Sequence, residues 1–338
     1  SSSGSGVATA MRFAAASIGT ETAGSIVGPS SVNGIVGMKP TIALVSRRGI
    51  VPISLNQDSS GPMTRSVRDA ALILDAIAGS DPEDPWSEAA NANGADYVAA
   101  LDTAALRERR IGVVRPISGN RAVWALFDDA LEVLEAQGAE LVDVPAEELV
   151  DPGPEMRTIL LHDFKLDLNA YLAGTPETVE VRTLADLIDF SRSDPRESMH
   201  TMDYWEDAQA TEGGRTSAAY EEALTAGRRL TGERGIDRLL AEYDVEVLVA
   251  PTGSTASEIE PDGTPRVGPI PPGPRREGPA SLTVTAAVAG YPLITVPMGL
   301  ADGLPVGITF ASTAWSEALL LGLAYDYEQA AQARVPPE

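Results

Sequence analysis

A strand–helix–strand pattern in the middle of the sequence limits the folds open to this chain. Residues 111–114 form an apolar run, residues 123–137 repeat apolar side chains at helical spacing up to Gly138, and residues 141–144 form a second short strand pattern. This order predicts a βαβ unit and favours a parallel strand pair. Because strand and helix patterns alternate along the whole chain, we predict an α/β layered protein with a largely buried mixed sheet.

Local patterns predict the other elements. Residues 1–6 are rich in serine and predict a loop, and residues 7–18 predict a buried helix running into a strand. Further strands are predicted at 35–38, 245–250, 293–298 and 306–311, and helices at 67–78, 282–289 and 315–333, with 154–243 mostly helical. Residues 251–279 are rich in proline and glycine and predict a long loop.

Composition excludes several kinds of function. The formal charge is −24 and the pI about 4.4, which argues against nucleic-acid binding. The absence of cysteine excludes disulfides and thiol catalysis, and two histidines are too few for a His-rich metal site. No apolar run approaches the ~20 residues that span a membrane. We therefore expect no cofactor, no metal and no membrane or nucleic-acid partner.

The stretch "GTETAGSIVGPSS", residues 19–31, holds the candidate chemistry. A strand over about 15–19 is predicted to enter a tight turn at residues 20–24, with a short helix beginning near Ser25. Unpaired N–H groups at such a helix start can bind a developing oxyanion, and Gly24 allows close approach of a substrate. A serine placed there can act as a nucleophile if a base removes its proton.

The base cannot be assigned from the residues alone. His162 and His200 lie in helical or polar regions away from any motif, which disfavours a Ser-His-Asp triad. A Ser-Lys arrangement would need a desolvated, neutral lysine. Lys39 in "GMKPT" is better interpreted as structural, paired with backbone or carboxylate groups.

These segments together resemble one known family. "SSSGSG", "GTETAGSIVGPSSVNGIVGMKPT" and "SLNQDSSGPMTRSVRDAALILDAIAG" resemble the amidase signature family, as do "DVEVLVAPT", "AGYPLITVPMG", "LPVGITFAS" and "EALLLGLAYDYEQA". The resemblance covers nearly the whole chain, is weakest over 151–243, and is strongest to peptide amidases and related broad amidases. It implies a layered α/β/α fold with a mixed, largely parallel central sheet, lacking its N-terminal part here.

The resemblance also implies site residues. The family hydrolyses amides through a Ser-Ser-Lys triad, in which Ser25 corresponds to the nucleophile. The bridging serine, preceded by a cis peptide, lies 24 positions earlier at Ser1, and Ser2 would help to orient it. The oxyanion hole corresponds to the backbone amides of Thr22, Ala23 and Gly24. The common turn has glycine at the position of Ala23, which alanine can occupy if its φ stays negative.

The family's catalytic lysine lies upstream of the bridging serine, so we expect it outside residues 1–338. A segment of the same protein or a cleaved partner chain would then carry it, and without that segment we expect exposed apolar surface. Elsewhere in the motifs, Arg65 is expected to be structural, and Asp58 to tie its loop to backbone amides. The family implies one domain, with a signature core at 1–79, a variable middle at 80–243 and C-terminal strands and a helix at 244–338.

The predicted function is hydrolysis of a neutral carboxamide through an acyl-enzyme, giving a carboxylate plus ammonia or an amine. Two alternatives stay open. One is an N-terminal nucleophile hydrolase that uses Ser1. The other is a non-catalytic or complex-dependent component, as in the tRNA-dependent amidotransferases. The expected partner is a small-molecule amide, a homodimer is one arrangement the chain could adopt, and the cytoplasm is the expected compartment.

Overall fold

An eight-stranded sheet lies at the centre of the described structure. The computed structural model describes residues 1–115, 120–197, 202–257 and 281–337. The strands are β1 (Ser17–Glu21), β2 (Val36–Lys39), β3 (Ser59–Thr64), β4 (Arg110–Val114), β5 (Glu140–Val144), β6 (Val247–Pro251), β7 (Leu293–Ala301) and β8 (Leu304–Ala311). They lie in the order β1-β3-β2-β7-β8-β6-β4-β5. Strands from the start, the middle and the end of the chain thus share one sheet.

Helices connect and cover the strands in the described residues. They are α1 (Ser3–Ala10), α2 (Val27–Val32), α3 (Val67–Ile77), α4 (Ala90–Asn93), α5 (Arg121–Ala136), α6 (Gly153–Ala173), α7 (Leu184–Ser193), α8 (Asp203–Gln209), α9 (Ala218–Arg228), α10 (Asp237–Glu242), α11 (Leu282–Ala289) and α12 (Glu317–Ala331). A π-helical segment, Arg229–Ile236, joins α9 to α10. The helical character predicted for 154–243 is confirmed where the structure describes that region.

The sheet is mixed, as predicted. The expectation that it is largely parallel is wrong. Only β4–β5 and β4–β6 pair in parallel among the described strands; the other neighbours are antiparallel. The predicted βαβ unit supplies one parallel pair. A tight turn at Asp302 and Gly303, both at positive φ, joins β7 to β8 and enforces an antiparallel hairpin.

The two faces of the sheet are covered by different helices. On one face, α3, α5 and α12 pack through Leu74, Phe127 and Tyr327 against buried side chains of β2, β4 and β6 to β8. On the other face, α10 and α11 pack through residues such as Leu239 and Ala286. Helices on both sides bury the sheet, as the layered α/β expectation requires.

The N-terminal region departs from the local predictions. Residues 3–6 belong to α1 rather than to a loop, and the helix ends at Ala10. The stretch 7–18 is not buried throughout, because four apolar side chains are exposed there: Val7, Met11, Phe13 and Ile18. An apolar composition predicted burial, but β1 is an edge strand and this face has no cover within the described residues.

Helices α6 to α8 form a small cluster of their own at the side of the sheet. Phe164, Leu168 and Leu184 are buried in it, and Trp205 packs against them. None of the helices in the described ranges is both long and apolar enough to cross a bilayer. The same ranges hold no group of three or more metal-ligating side chains. His200 and residues 258–279 of the predicted loop lie outside the described residues.

Candidate active site

The turn that follows β1 places Ser25 at its tip. The strand continues through Thr20 and Glu21, so the turn begins two residues later than the sequence pattern predicted. Gly24 has a φ of +89°, in the region that favours glycine, and reverses the chain just before Ser25. Ser25 is half-buried, and α2 begins two residues after it at Val27. A serine is therefore held on a sharp strand-to-helix turn with access to solvent.

Glu21 fixes the far side of this turn. Its side chain is 1% exposed, and its Oε2 accepts the N–H groups of Ile26, at 2.7 Å, and of Val27, at 3.0 Å. These are orphan donors of the first helical turn, and a carboxylate there also suits the helix dipole. Glu21 belongs to no predicted site, although it is the one charged residue in the stretch 19–31. That isolated charge was the available signal.

The N-terminal residues lie against the same turn. The backbone N–H of Ser2 donates to the Ser25 carbonyl oxygen at 2.9 Å, and the Ser1 nitrogen lies 3.4 Å from that oxygen. The Ser2 hydroxyl both donates to the Thr20 carbonyl, at 2.9 Å, and accepts the Thr20 N–H, at 3.0 Å. The structure thus brings Ser1, Ser2 and Ser25 together, and Ser2 anchors the segment to the turn.

A second loop holds the other side of the turn through Thr22. The Thr22 hydroxyl donates to Asp58 Oδ1 at 2.6 Å, and the Gln57 amide donates to the Thr22 carbonyl at 3.3 Å. Within the described residues, the N–H groups of Ala23 and Gly24 donate to no protein acceptor. Two free amides beside a clamped peptide are the arrangement that an oxyanion hole needs.

Asp58 binds backbone amides of its own loop, as expected. Its Oδ2 accepts the N–H groups of Ile53 and Ser54, at 2.8 and 2.9 Å, besides the contact to Thr22. Burial raises the pKa of Asp58 above the ordinary value, although the hydrogen bonds from Thr22, Ser54 and Ile53 oppose that rise. Arg65 is also structural, because its Nη1 donates to the carbonyls of Thr9 and Ala14 at 3.0 and 2.9 Å.

The lysines of the chain are held by backbone carbonyls. Lys39 is fully buried, and its Nζ donates to Pro40 and Tyr291 carbonyls at 3.0 and 2.9 Å, which agrees with the structural interpretation. Burial lowers its pKa to about 8, while the carboxylates of Glu21 and Glu317 act to raise it. Lys165 donates to two carbonyls near the end of α8. Neither lysine donates to Ser1 or Ser25 in the part of the chain described.

His162 is likewise engaged away from the turn. Its Nδ1 lies 3.2 Å from the Gly214 carbonyl oxygen, and its ring packs against Tyr220 with centroids 5.7 Å apart. This contact explains its burial without a catalytic role.

The chain is similar to known amidases in sequence and in fold. The family model of amidases matches residues 1–321. The fold matches a peptide amidase from Stenotrophomonas maltophilia with a TM-score of 0.88 and 42% identity, over 99% of this chain and 66% of that one. An amidase family protein from Bacillus anthracis matches with a TM-score of 0.82 and 26% identity, over 99% of this chain and 60% of that one.

Relatives identified by sequence include an amidase and a component of an amidotransferase. A protein of Arabidopsis thaliana named "Probable amidase" is 34% identical over 100% of this chain and 61% of its own length. A component of the glutamyl-tRNA(Gln) amidotransferase of Caldanaerobacter subterraneus is 32% identical over 100% of this chain and 68% of its own length. The chain spans about three fifths of the Arabidopsis relative, 61%. On the match of the family model to nearly all of its residues, the chain belongs to the amidase family, the amidase signature enzymes.

Proposed function

We propose that this chain carries the nucleophile of an amidase that hydrolyses a neutral carboxamide through an acyl-enzyme on Ser25. The observation that carries the proposal is the turn itself. Ser25 follows a positive-φ glycine, its carbonyl accepts the Ser2 N–H, and Glu21 and Thr22 clamp the turn from two sides. Membership of the amidase family and the likeness to a peptide amidase support it.

In the proposed reaction the Ser25 hydroxyl oxygen attacks the amide carbonyl and forms a tetrahedral intermediate. The negative oxygen is bound by the backbone N–H groups of Thr22, Ala23 and Gly24. Collapse of the intermediate breaks the C–N bond, the protonated amine or ammonia leaves, and the acyl group stays on Ser25. Water then attacks the ester, and the carboxylate product is released.

Proton transfer is assigned to Ser1 and to a lysine outside residues 1–338. Ser1 lies beside the nucleophile turn, and its hydroxyl would pass the proton between Ser25, the lysine and the leaving amine. The lysine must be neutral near pH 7 to act as a base, which requires desolvation. Lys39 has a lowered pKa, but its ammonium is committed to two backbone carbonyls. The exposed apolar side chains near β1 support a covering segment that would carry this lysine.

The role of an external lysine gives a direct test. We expect residues 1–338 expressed alone to show no measurable amide hydrolysis under conditions where the full-length protein is active, because the base is missing. In the full-length protein, each lysine outside residues 1–338 is replaced in turn by alanine and kcat is measured. One such variant should lose activity by several orders of magnitude, as loss of a triad member does. A folded, fully active 1–338 product would contradict the assignment.

The residues after the nucleophile predict the charge of the substrate. Ile26 and Val27 are fully buried and uncharged, so a carboxylate held next to the scissile bond there would lose water without gaining a cation. We expect kcat/KM to be about 10- to 100-fold lower for an amide with an adjacent carboxylate than for its neutral methyl ester. The measurement compares each acid with its methyl ester, in a series of N-acyl amino-acid amides and short peptide amides. A preference for the acid would rule the prediction out.

A second candidate function follows from the similarity to a component of a glutamyl-tRNA(Gln) amidotransferase. In that case the chain would act within a complex rather than as an independent hydrolase. Steady hydrolysis of peptide or aryl amides by the purified full-length protein supports the independent enzyme. Activity that appears only on addition of partner proteins supports the second candidate.

A further inference from the structure

The loop that clamps Thr22 is itself held by helices far away in the sequence. We call residues 53–58 the Asp58 loop. Asp163 on α6 is fully buried, and its Oδ2 accepts from the Ser54 hydroxyl at 2.6 Å and from the Asn56 amide at 2.8 Å. Asp167, one turn later, accepts the Leu55 N–H at 2.9 Å. Three consecutive residues of the Asp58 loop are thus bound to two carboxylates of one helix.

Cationic and hydroxyl donors fix these carboxylates in turn. Arg215 donates from Nε to Asp163 Oδ1 at 2.8 Å and from Nη2 to Asp167 Oδ1 at 2.5 Å, so it bridges the pair. The Tyr220 hydroxyl of α9 donates to Asp163 Oδ1 at 2.8 Å. Asp163 therefore accepts four hydrogen bonds, and each of its oxygens faces two donors. Charge-assisted bonds of this kind are stronger and more directional than neutral ones.

The chain of contacts ends at the nucleophile turn. Asp163 and Asp167 hold residues 54–56, and Asp58 and Gln57 in the same loop hold the hydroxyl and the carbonyl of Thr22. The peptide that follows Thr22 carries the N–H of Ala23, one of the two free amides. A shift of the Asp58 loop would therefore rotate the donors that face a developing oxyanion.

We propose that Asp163 is a positioning residue for the oxyanion turn, acting through the Asp58 loop on Thr22. This inference rests on the proposed function, since it assigns no contact with the substrate to Asp163. It gives the helical region over 154–243 a role in holding the turn that carries Ser25. Such second-layer support decides whether donors stand within about 0.5 Å of the productive geometry.

Asparagine at position 163 is the sharpest perturbation. An amide keeps the shape of the carboxylate but presents N–H groups at one of the two positions that now accept. Ser54 and Tyr220 can rotate their hydroxyls to adapt. The Arg215 guanidinium offers only N–H groups, and the Asn56 amide can turn its oxygen toward position 163 only by giving up the bond from Arg228 Nη2 at 3.0 Å. One donor must therefore lose its partner, either Arg215 at the Oδ1 position or a group bonded to Asn56 at the Oδ2 position, and the hold of α6 on the Asp58 loop weakens.

The test compares Asp163→Asn with Asp326→Asn in the full-length protein. Asp326 is equally buried and accepts the Leu106 N–H at 2.9 Å, on the far side of the sheet from α11. We expect Asp163→Asn to lower kcat for a neutral peptide amide about 10- to 100-fold with KM changed less than about threefold, as displacement of oxyanion donors does. Inhibition by a matching peptide aldehyde, which binds as a tetrahedral adduct, should weaken in parallel with kcat. Asp326→Asn should leave kcat, KM and the affinity for the aldehyde unchanged, because the amide oxygen can still accept the Leu106 N–H.

Two further variants keep the outcome decisive. If Asp163→Asn fails to fold, Tyr220→Phe removes the hydroxyl that donates to Asp163 and accepts from the Asn56 amide at 2.7 Å, and it should lower kcat and aldehyde affinity in parallel. A wild-type kcat in either folded variant, or equal losses in the Asp163 and Asp326 variants, would overturn the inference. Ser25→Ala tests the proposed function separately. Full activity in that variant would refute the nucleophile, whereas a wild-type kcat in Asp163→Asn would refute only the positioning role.

Discussion

Substitution of Ser25 by alanine should reduce kcat of the full-length protein by about 10⁴-fold or more, the loss found when a serine hydrolase loses its nucleophile. Alanine removes only the oxygen that forms the acyl bond. The turn should survive, because Glu21 and Ser2 bind backbone groups of residues 25 to 27 rather than the serine hydroxyl. We therefore expect an unchanged melting temperature and nearly unchanged substrate binding. Single-turnover assays on a neutral amide, with mass spectrometry to detect the acyl-enzyme, would measure the effect.

Ser5→Ala is the matched control for that experiment. Ser5 lies on α1, and its hydroxyl donates only to the Ile18 carbonyl, at 3.1 Å. Its substitution should leave kcat unchanged. The assignment of Ser25 fails if Ser25→Ala keeps more than a few per cent of the activity. An acyl group found on Ser1 would instead favour the N-terminal nucleophile alternative.

Loss of Glu21 should be the most damaging change that does not touch a proposed reacting group. Glu21→Ala leaves the buried N–H groups of Ile26 and Val27 without an acceptor, at a cost of about 1–3 kcal/mol for each. It also removes a carboxylate whose charge raises the pKa of the buried Lys39. We expect stability to fall by about 2–6 kcal/mol and kcat to fall by about 10²-fold or more as the turn moves. Thermal unfolding and steady-state kinetics would measure both.

Glu21→Gln separates the two contributions of Glu21, which are the acceptor for two backbone N–H groups and the negative charge near Lys39. Only Oε2 accepts the two N–H groups, and Oε1 has no partner among the described residues, so an amide oxygen can replace Oε2. Glu21→Gln should therefore retain more stability and activity than Glu21→Ala, with the remaining deficit due to the lost charge near Lys39 and to the buried N–H groups placed at the Oε1 position. Equal behaviour of the two variants would show that charge, not the acceptor, fixes the turn.

Local patterns in the sequence predicted most of the elements because apolar spacing reports burial directly. They missed β3, since its sequence "SSGPMT" combines small residues with a proline and lacks an apolar run. The strand is nevertheless fully buried between β1 and β2. The direction of strand pairing was also beyond local patterns, because it depends on partners such as β2 and β7 that lie far apart in the chain.

In the candidate site, too, some residues could be predicted from the sequence and others could not. The resemblance to the amidase signature family implied that Ser1 and Ser25 lie together, and the structure brings the two residues together at the turn. Asp163 could not have been selected, because it reaches Ser54 across 109 residues and belongs to no short motif. Contacts of this kind become visible only when the helices and the loop are placed in space.

The pairing of β2 with β7 has a consequence for how the chain acquires its fold during synthesis. Met38 lies opposite Ile294, and Lys39 contacts Tyr291 across 252 residues. The half of the sheet that carries the nucleophile turn therefore cannot join the rest until almost the whole chain has been made. At roughly 5–20 residues per second this takes on the order of ten seconds or more, during which β1 to β3 remain unpaired with their later partners. Closure of so long a loop is slow, so nascent chains carry the serine well before they can use it.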